Sequence, residues 1–270
     1  MKKTKTTTWL GKTLSLAALG LLTGCAQFNT FSVQEDIALG SKAFEDVSSK
    51  ETLVTSGPAF EHVLGVTARL VPGALIDAPA FARDFPWETV LIKEDGTLNA
   101  FCLPGGKMGV YTGILEITKD EAGLAVVMGH EIAHATLRHG TQAMTRQLAL
   151  SGALAVLAVV LEENERHPEY SLAIASVSAA LLNLSYGRDA ELEADRIGLI
   201  TMARAGYDPR AAVEFWQRME AQDGGASPEW LSTHPSHGHR IEQIKKLLPE
   251  ALAIWEHSQM APGGISESNF

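Results

Sequence analysis

The sequence predicts an α+β domain, mostly helical with a small β-sheet, and three observations carry the prediction. Two capping-box spacings, Ser32 with Glu35 and Thr118 with Glu121, open runs whose apolar residues recur at helical intervals. The stretch from Glu88 to Leu115 is instead rich in β-branched and aromatic residues, punctuated by Asp95-Gly96 and Pro104-Gly105-Gly106. That is the pattern of short strands joined by tight turns. Finally, 270 residues with 46% hydrophobic content suffice for one substantial core, so a single domain is expected.

In chain order, the first helix offers Ile37, Leu39, Ala43, Phe44 and Val47 as its apolar face. A second fits Phe60 to Leu70, with Pro72-Gly73 as its stop. Asp95-Gly96 suits a two-residue hairpin turn, and Met108 to Tyr111 returns as the next strand. Thr118 opens a helix through Leu124, Val127, Met128, Ile132 and Leu137. Residues 148–161 and 172–184 are almost wholly apolar yet too short to span a bilayer. They read as buried helices, with a membrane-dipping hairpin as the alternative. After Pro209 comes an amphipathic helix carrying Val213, Phe215, Trp216 and Met219, then a Gly-rich break, Thr233-His234-Pro235 and a last helix to Leu248.

Residues 1–24 read as a secretory leader: four lysines precede a short apolar run that ends in Leu22-Thr23-Gly24-Cys25. That ending resembles the bacterial lipoprotein box, which implies lipidation of Cys25, a tether over 25–32 and a membrane held through a lipid anchor. The folded domain is then expected over 33–257, with a frayed tail at 258–270. The formal net charge of -10 leaves no basic footprint for nucleic acid. With only Cys25 and Cys102 available, a disulfide framework is excluded, and Cys102 reads as a small buried hydrophobe.

The chemistry lies in His130-Glu131-Ile132-Ala133-His134. Two histidines four apart on a helix project from one face and can grip one zinc. Glu131, beside the first of them, is placed to act as general base on a metal-held water. A catalytic zinc takes a third protein ligand, and about sixty residues later Glu191 and Asp195 share a helix face one turn apart. A helix packed across the first could present Glu191 to the zinc, and Asp195 could then accept a hydrogen bond from a ligand imidazole and fix its tautomer.

At these residues the chain resembles the zinc endopeptidases that include the CAAX prenyl endopeptidase and the bacterial heat-shock peptidase HtpX. Their pattern is H-E-x-x-H followed by R-x-x-E-x-x-A-D, matched here by Arg188, Glu191, Ala194 and Asp195. The resemblance extends to Asn99-Ala100-Phe101, Pro104-Gly105-Gly106, Tyr111-Thr112-Gly113 and Thr233-His234-Pro235 with Arg240. It implies a zincin-like metallopeptidase with the sheet beside the motif helix, Glu191 as the third zinc ligand and one zinc ion per chain. Together with the lipoprotein box it looks like the periplasmic, BepA-like members. Those imply a bacterial cell-envelope location on the periplasmic face, at the outer membrane rather than the inner, and misfolded or unassembled envelope proteins as substrates. The sheet region around Asn99 to Tyr111 is expected to offer an edge strand to such a substrate, with Asn99, Ala100 and Phe101 as the substrate-binding residues.

Arg188 reads as a cation that stabilises the carboxylates. His234 stays open between an approach to the metal, as catalytic group or latent ligand, and a helix-entry residue packed by Pro235. His139, five residues beyond His134, reads as off the ligand face, and Glu193 as a solvated carboxylate. His62, His167 and His257 lack a second ligand type nearby, and no acid or thiol spacing supports a second metal at His237 and His239. Two rivals compete with proteolysis: a zinc-stabilised chaperone or assembly scaffold, and a hydrolase of a non-peptide envelope substrate. A base beside the ligands argues against the first, since a structural zinc needs none.

Overall fold

The computed structural model describes residues 29–151, 177–221, 229–234 and 239–260. Ser32 and Glu35 form the reciprocal capping box and open helix α1, Val33–Lys50. Strand β1, Leu53–Val54, helix α2, Pro58–Leu75, and strand β2, Glu88–Ile92, follow. Strands β3, Ala100–Leu103, and β4, Lys107–Tyr111, complete a four-stranded sheet in the order β1-β2-β4-β3. β2 runs parallel to β4, whereas β1 on β2 and β3 on β4 are antiparallel, so β3 forms one edge. Four of the five residues of β4 are buried, which suits a strand covered on both faces.

The short helix α3, Leu115–Thr118, leads into α4, Glu121–Thr136, and α5, His139–Ser151. Beyond a helical stretch at 177–182 come α6, Arg188–Arg204, α7, Ala211–Ala221, α8, Glu229–Thr233, and α9, Arg240–Met260. Helix α4 is buried from Gly123 to Thr136 and forms the centre of the molecule. Leu91, Met108, Leu124, Met128, Met202 and Phe215 build the main core around it. A second apolar cluster, with Phe31, Phe44, Phe101 and Leu103, joins α1 to the sheet.

Helices α4 and α6 meet backbone to backbone. A β-carbon at Gly129 would stand 2.9 Å from the Gly198 carbonyl oxygen, and one at Gly198 would stand 2.9 Å from the His130 amide nitrogen. No side chain fits between them, and this close crossing brings the acidic face of α6 onto the histidine face of α4.

Several expectations are corrected. Pro72 does not end α2 but sits in its last turn, where a β-carbon at Gly73 would stand 3.0 Å from the Thr201 carbonyl oxygen, so the close approach of α2 to its neighbour outweighs the lost hydrogen bond. Asp95-Gly96 makes no two-residue hairpin: β2 pairs with β4, and the turn is held by Lys93 and by the Thr112 hydroxyl donating to Asp95. The β3–β4 hairpin turns at Pro104-Gly105-Gly106 instead, where both glycines have positive φ. Helix α4 opens at Asp120, whose carboxylate accepts from the Gly123 amide, because the Thr118 hydroxyl bonds back to Leu115 in the preceding turn.

Contacts extend to both ends of the described residues. Asn29 and Thr30, placed in the tether, dock on Thr141 and Thr145 of α5. Helix α9 continues to Met260 because the Ser258 hydroxyl donates to the Ala203 carbonyl and Gln259 to Gly206. The leader, Cys25 and much of the two apolar segments lie outside the described residues. Among the described residues no helix is long and apolar enough to cross a membrane.

If the α4–α6 crossing sets the site, Gly198→Ala should separate the helices at a cost of about 1–3 kcal/mol. Urea unfolding should register the loss, and metal content after dialysis should fall with it. A variant with wild-type stability and metal content would show that the crossing tolerates a side chain.

Candidate metal centre

His130 and His134 lie one turn apart on α4, both buried, with ring centroids 4.7 Å apart. Glu191 enters from the first turn of α6 and His234 from the end of α8, where its amide donates to the Trp230 carbonyl. One ligand atom from each of His130, His134, Glu191 and His234 can be chosen so that all lie within 4.8 Å of one another. His130 Nε2 stands 3.0 Å from His134 Nε2 and 3.2 Å from His234 Nδ1, while His234 Nδ1 is 3.1 Å from Glu191 Oε1.

The donor set itself tests whether a metal fits. Each neutral imidazole carries one N–H, yet three ring nitrogens face one another, and hydrogen bonds alone cannot give every lone pair a proton. A central cation satisfies all of them. Charge agrees: Glu131, Glu191 and Asp195 are buried with Arg240 as the guanidinium among them, so neutral imidazoles leave two negative charges to balance. A divalent ion held by nitrogen and carboxylate oxygen matches the donor types zinc takes.

Behind the ligands, Asp195 and Arg240 hold them in place, although Asp195 Oδ2 and Arg240 Nε are buried without a hydrogen-bond partner among the described residues. His130 Nδ1 faces Asp195 Oδ1 at 3.0 Å, leaving Nε2 for the cluster. Arg240 donates to Glu191 Oε2 at 3.1 Å and to Asp195 Oδ1 at 2.7 Å, with its guanidinium 3.9 Å over the Trp216 ring. Burial opposes charge on His130, but hydrogen bonds to Asp195 and Glu191 outweigh it and raise its pKa to about 9. Burial lowers His134 and His234 to about 4, so without a metal the cluster holds its proton on one imidazole. Glu191 falls well below the usual carboxylate range: burial raises it, but the three imidazoles prevail.

Glu131 points to the side of this cluster. Its Oε1 accepts the Trp230 indole N–H at 2.7 Å and lies 3.2 Å from His234 Nε2. Burial raises its pKa against the pull of the two motif imidazoles. A cavity beside it is lined by Asn99, Ala100, Cys102, Tyr186 and His234, so the edge strand β3 borders the cluster. Phe101 lines it too and packs edge-on to Tyr111. Cys102 is buried, and burial pushes its thiol pKa up.

Arg188 is corrected: it is exposed at the start of α6, and the guanidinium in the cluster belongs to Arg240. Sequence reading gave no role to Trp230, Tyr186 or His139. Trp230 precedes His234 by one helical turn, a spacing that could have flagged it. Tyr186 stacks on His134 with ring centroids 4.0 Å apart, a contact that no spacing announces.

Fold and site together define a zincin-like α+β domain built around a metal centre. The family model for peptidase family M48 matches residues 67–248, and the chain belongs to that family. It is 35% identical to the mitochondrial metalloendopeptidase OMA1 of Schizosaccharomyces pombe, with 86% of this chain and 66% of that protein covered. It is 40% identical to the human mitochondrial metalloendopeptidase OMA1, covering 69% of this chain and 37% of that protein. It is 30% identical to a putative beta-barrel assembly-enhancing protease of Vibrio cholerae, covering 89% and 49%. The chain thus spans less than two thirds of the length of these relatives.

The bacterial-envelope location expected from the leader is corrected by this comparison. The relatives at 35–40% identity are mitochondrial by name, and the assembly-enhancing proteases of bacteria match at 28–30%.

Arg240→Met should remove the guanidinium shared by Glu191 and Asp195, leaving His130 alone to face both buried carboxylates, at a cost of about 3–5 kcal/mol. Urea unfolding in the presence of a chelator isolates this loss from metal binding. A change below about 1 kcal/mol would mean that the two carboxylates find their balance elsewhere.

Proposed function

We propose that the chain is a zinc-dependent endopeptidase that cleaves unfolded or unassembled proteins, with Glu131 as its general base. One observation carries this reading: a buried carboxylate stands beside a converging set of three imidazoles and Glu191, the arrangement that peptide-bond hydrolysis requires. His130, His134 and Glu191 would hold the ion. Zinc there supplies Lewis acidity, polarising the scissile carbonyl and making water a stronger acid.

The remaining work falls to the chain's own side chains. Glu131, raised in pKa by burial, takes a proton from the attacking water and returns it to the departing amine. Trp230 orients that carboxylate through its indole N–H. Asp195 fixes His130 with Nε2 toward the ion. Ala100 and Phe101 on the edge strand, with Asn99 just before it, would accept an extended peptide by backbone hydrogen bonds, which favours unfolded substrates. The assembly-enhancing role in the names of the bacterial relatives agrees with unassembled proteins as targets.

His234 occupies the space between base and ligands, with Nδ1 toward Glu191 and Nε2 toward Glu131. We read this as a resting arrangement in which His234 is the fourth donor and substrate must displace it.

Glu131→Gln should keep metal and fold while peptidase turnover falls about 10²- to 10⁴-fold. Near-wild-type turnover of a fluorogenic protein substrate would refute the mechanism. Glu191→Ala should lose metal during dialysis against a mild chelator, and retention at wild-type level would remove Glu191 from the ligand set. His234→Ala should raise basal cleavage. A fall would instead assign the imidazole to transition-state stabilisation.

A further inference from the structure

His134 presents Nε2 to the cluster, 3.4 Å from Glu191 Oε1, and its other ring nitrogen, Nδ1, lies 3.0 Å from His139 Nδ1. His139 is buried, and its Nε2 lies 3.4 Å from the Glu193 carboxylate, which is half-exposed on α6. On one unbroken helix a residue five positions beyond His134 would point well away from it. The chain breaks that geometry. Helix α4 ends at Thr136, Arg138 takes φ +60°, and His139 starts α5, so the kink swings its ring back over His134.

The kink is pinned from the N-terminal side. Arg138 donates to both oxygens of the buried Asp36 on α1, at 2.5 and 3.0 Å, and to the Phe31 carbonyl at 2.5 Å. A non-glycine residue in the left-handed region persists only where its surroundings hold it there, and this bidentate clamp supplies that hold.

We propose that His139 and Glu193 are positioning residues for His134, forming a relay that sets its tautomer and ring orientation for metal binding. The inference rests on the zinc reading above. An Nε2 that faces the ion requires the proton on Nδ1, which must find an acceptor, and His139 Nδ1 is that acceptor. His139 then carries its own proton on Nε2 and donates to Glu193. The relay parallels the partnership of His130 with Asp195, so both motif histidines are oriented from behind. Here, however, a neutral imidazole stands between ligand and carboxylate.

The experiment measures zinc affinity by chelator competition and the d–d spectrum of the cobalt(II)-loaded protein, with the melting temperature of chelator-treated protein in parallel. Wild type binding no zinc would overturn the functional reading itself, independently of the relay. Given wild-type binding, His139→Ala should weaken zinc about 10- to 100-fold. Glu193→Gln, at the exposed end, should weaken it by a few-fold with no change in the melting temperature of the metal-free protein. His139→Gln, whose side-chain carbonyl can accept from His134, should recover part of the affinity and move the cobalt spectrum back toward wild type. Wild-type affinity in both His139→Ala and Glu193→Gln would overturn the relay. So would an affinity loss in His139→Ala that His139→Gln fails to relieve while Glu193→Gln binds like wild type. If His139→Ala does not fold, Glu193→Gln and His139→Gln decide alone: wild-type affinity and spectrum in both overturns the relay.

Discussion

Two helices cross at Gly129 and Gly198 with only backbone between them, and the rest of the centre follows from that distance. A side chain at either position would have to displace main-chain atoms that are themselves locked in helical hydrogen bonds. With the helices in contact, Glu191 and Asp195, four residues apart on α6, reach His130 and His134, four residues apart on α4. Matching periods on two rigid rods place four polar side chains within hydrogen-bonding reach. Rigidity matters because ligands held on helices keep their geometry better than ligands on loops.

Such a cluster is costly to bury, and the surrounding sequence compensates by electrostatics rather than by exposure. Three carboxylates would each prefer water. Arg240 bridges two of them, and its own charge lies against the faces of Trp216 and Trp230, at 3.9 and 5.8 Å. The aromatic residues therefore serve twice, as core filling and as a polarisable wall. Trp230 adds the indole N–H that gives Glu131 a partner. Side chains from α4, α6, α8 and α9 contribute, so the centre also knits the C-terminal helices to the core.

Much of this was readable from the sequence, for a physical reason. Helical periodicity relates residues within one element, so His130, Glu131, His134, Glu191 and Asp195 were visible as two faces that needed each other. The capping box at Ser32 and the strand at Met108 to Tyr111 follow equally from local rules. What escaped depends on breaks and long-range contacts. His139 appeared off the ligand face because an unbroken helix was assumed, and the left-handed turn at Arg138 invalidates that assumption. Arg188 was given the stabilising charge because it lies beside Glu191 in sequence, whereas Arg240, named only as part of the family resemblance, reaches Glu191 from a helix forty-nine residues away. Asp95-Gly96 looked like a hairpin because local turn chemistry does not say which strands will pair. The strand that pairs in parallel with β2 is β4, which is buried over four of its five residues, as suits a central strand.

The left-handed turn also joins two parts of the molecule that the sequence keeps far apart. Asp36 is buried on α1, and burial raises its pKa against the pull of Arg138, so the fold accepts an electrostatic penalty to hold this pair. A buried ion pair seldom repays its desolvation as stability alone, and its value here lies in geometry. It fixes a backbone conformation that Arg138 would not keep unaided, and that conformation sets where α5 begins. Because the same guanidinium also binds the Phe31 carbonyl, and Asn29 and Thr30 bond to α5, the segment ahead of α1 grips the helix that carries His139. Order at the N-terminal edge is in this way coupled to order behind His134. The coupling needs no movement through the core: it runs along three adjacent residues, from Leu137 to His139, whose path is held from outside.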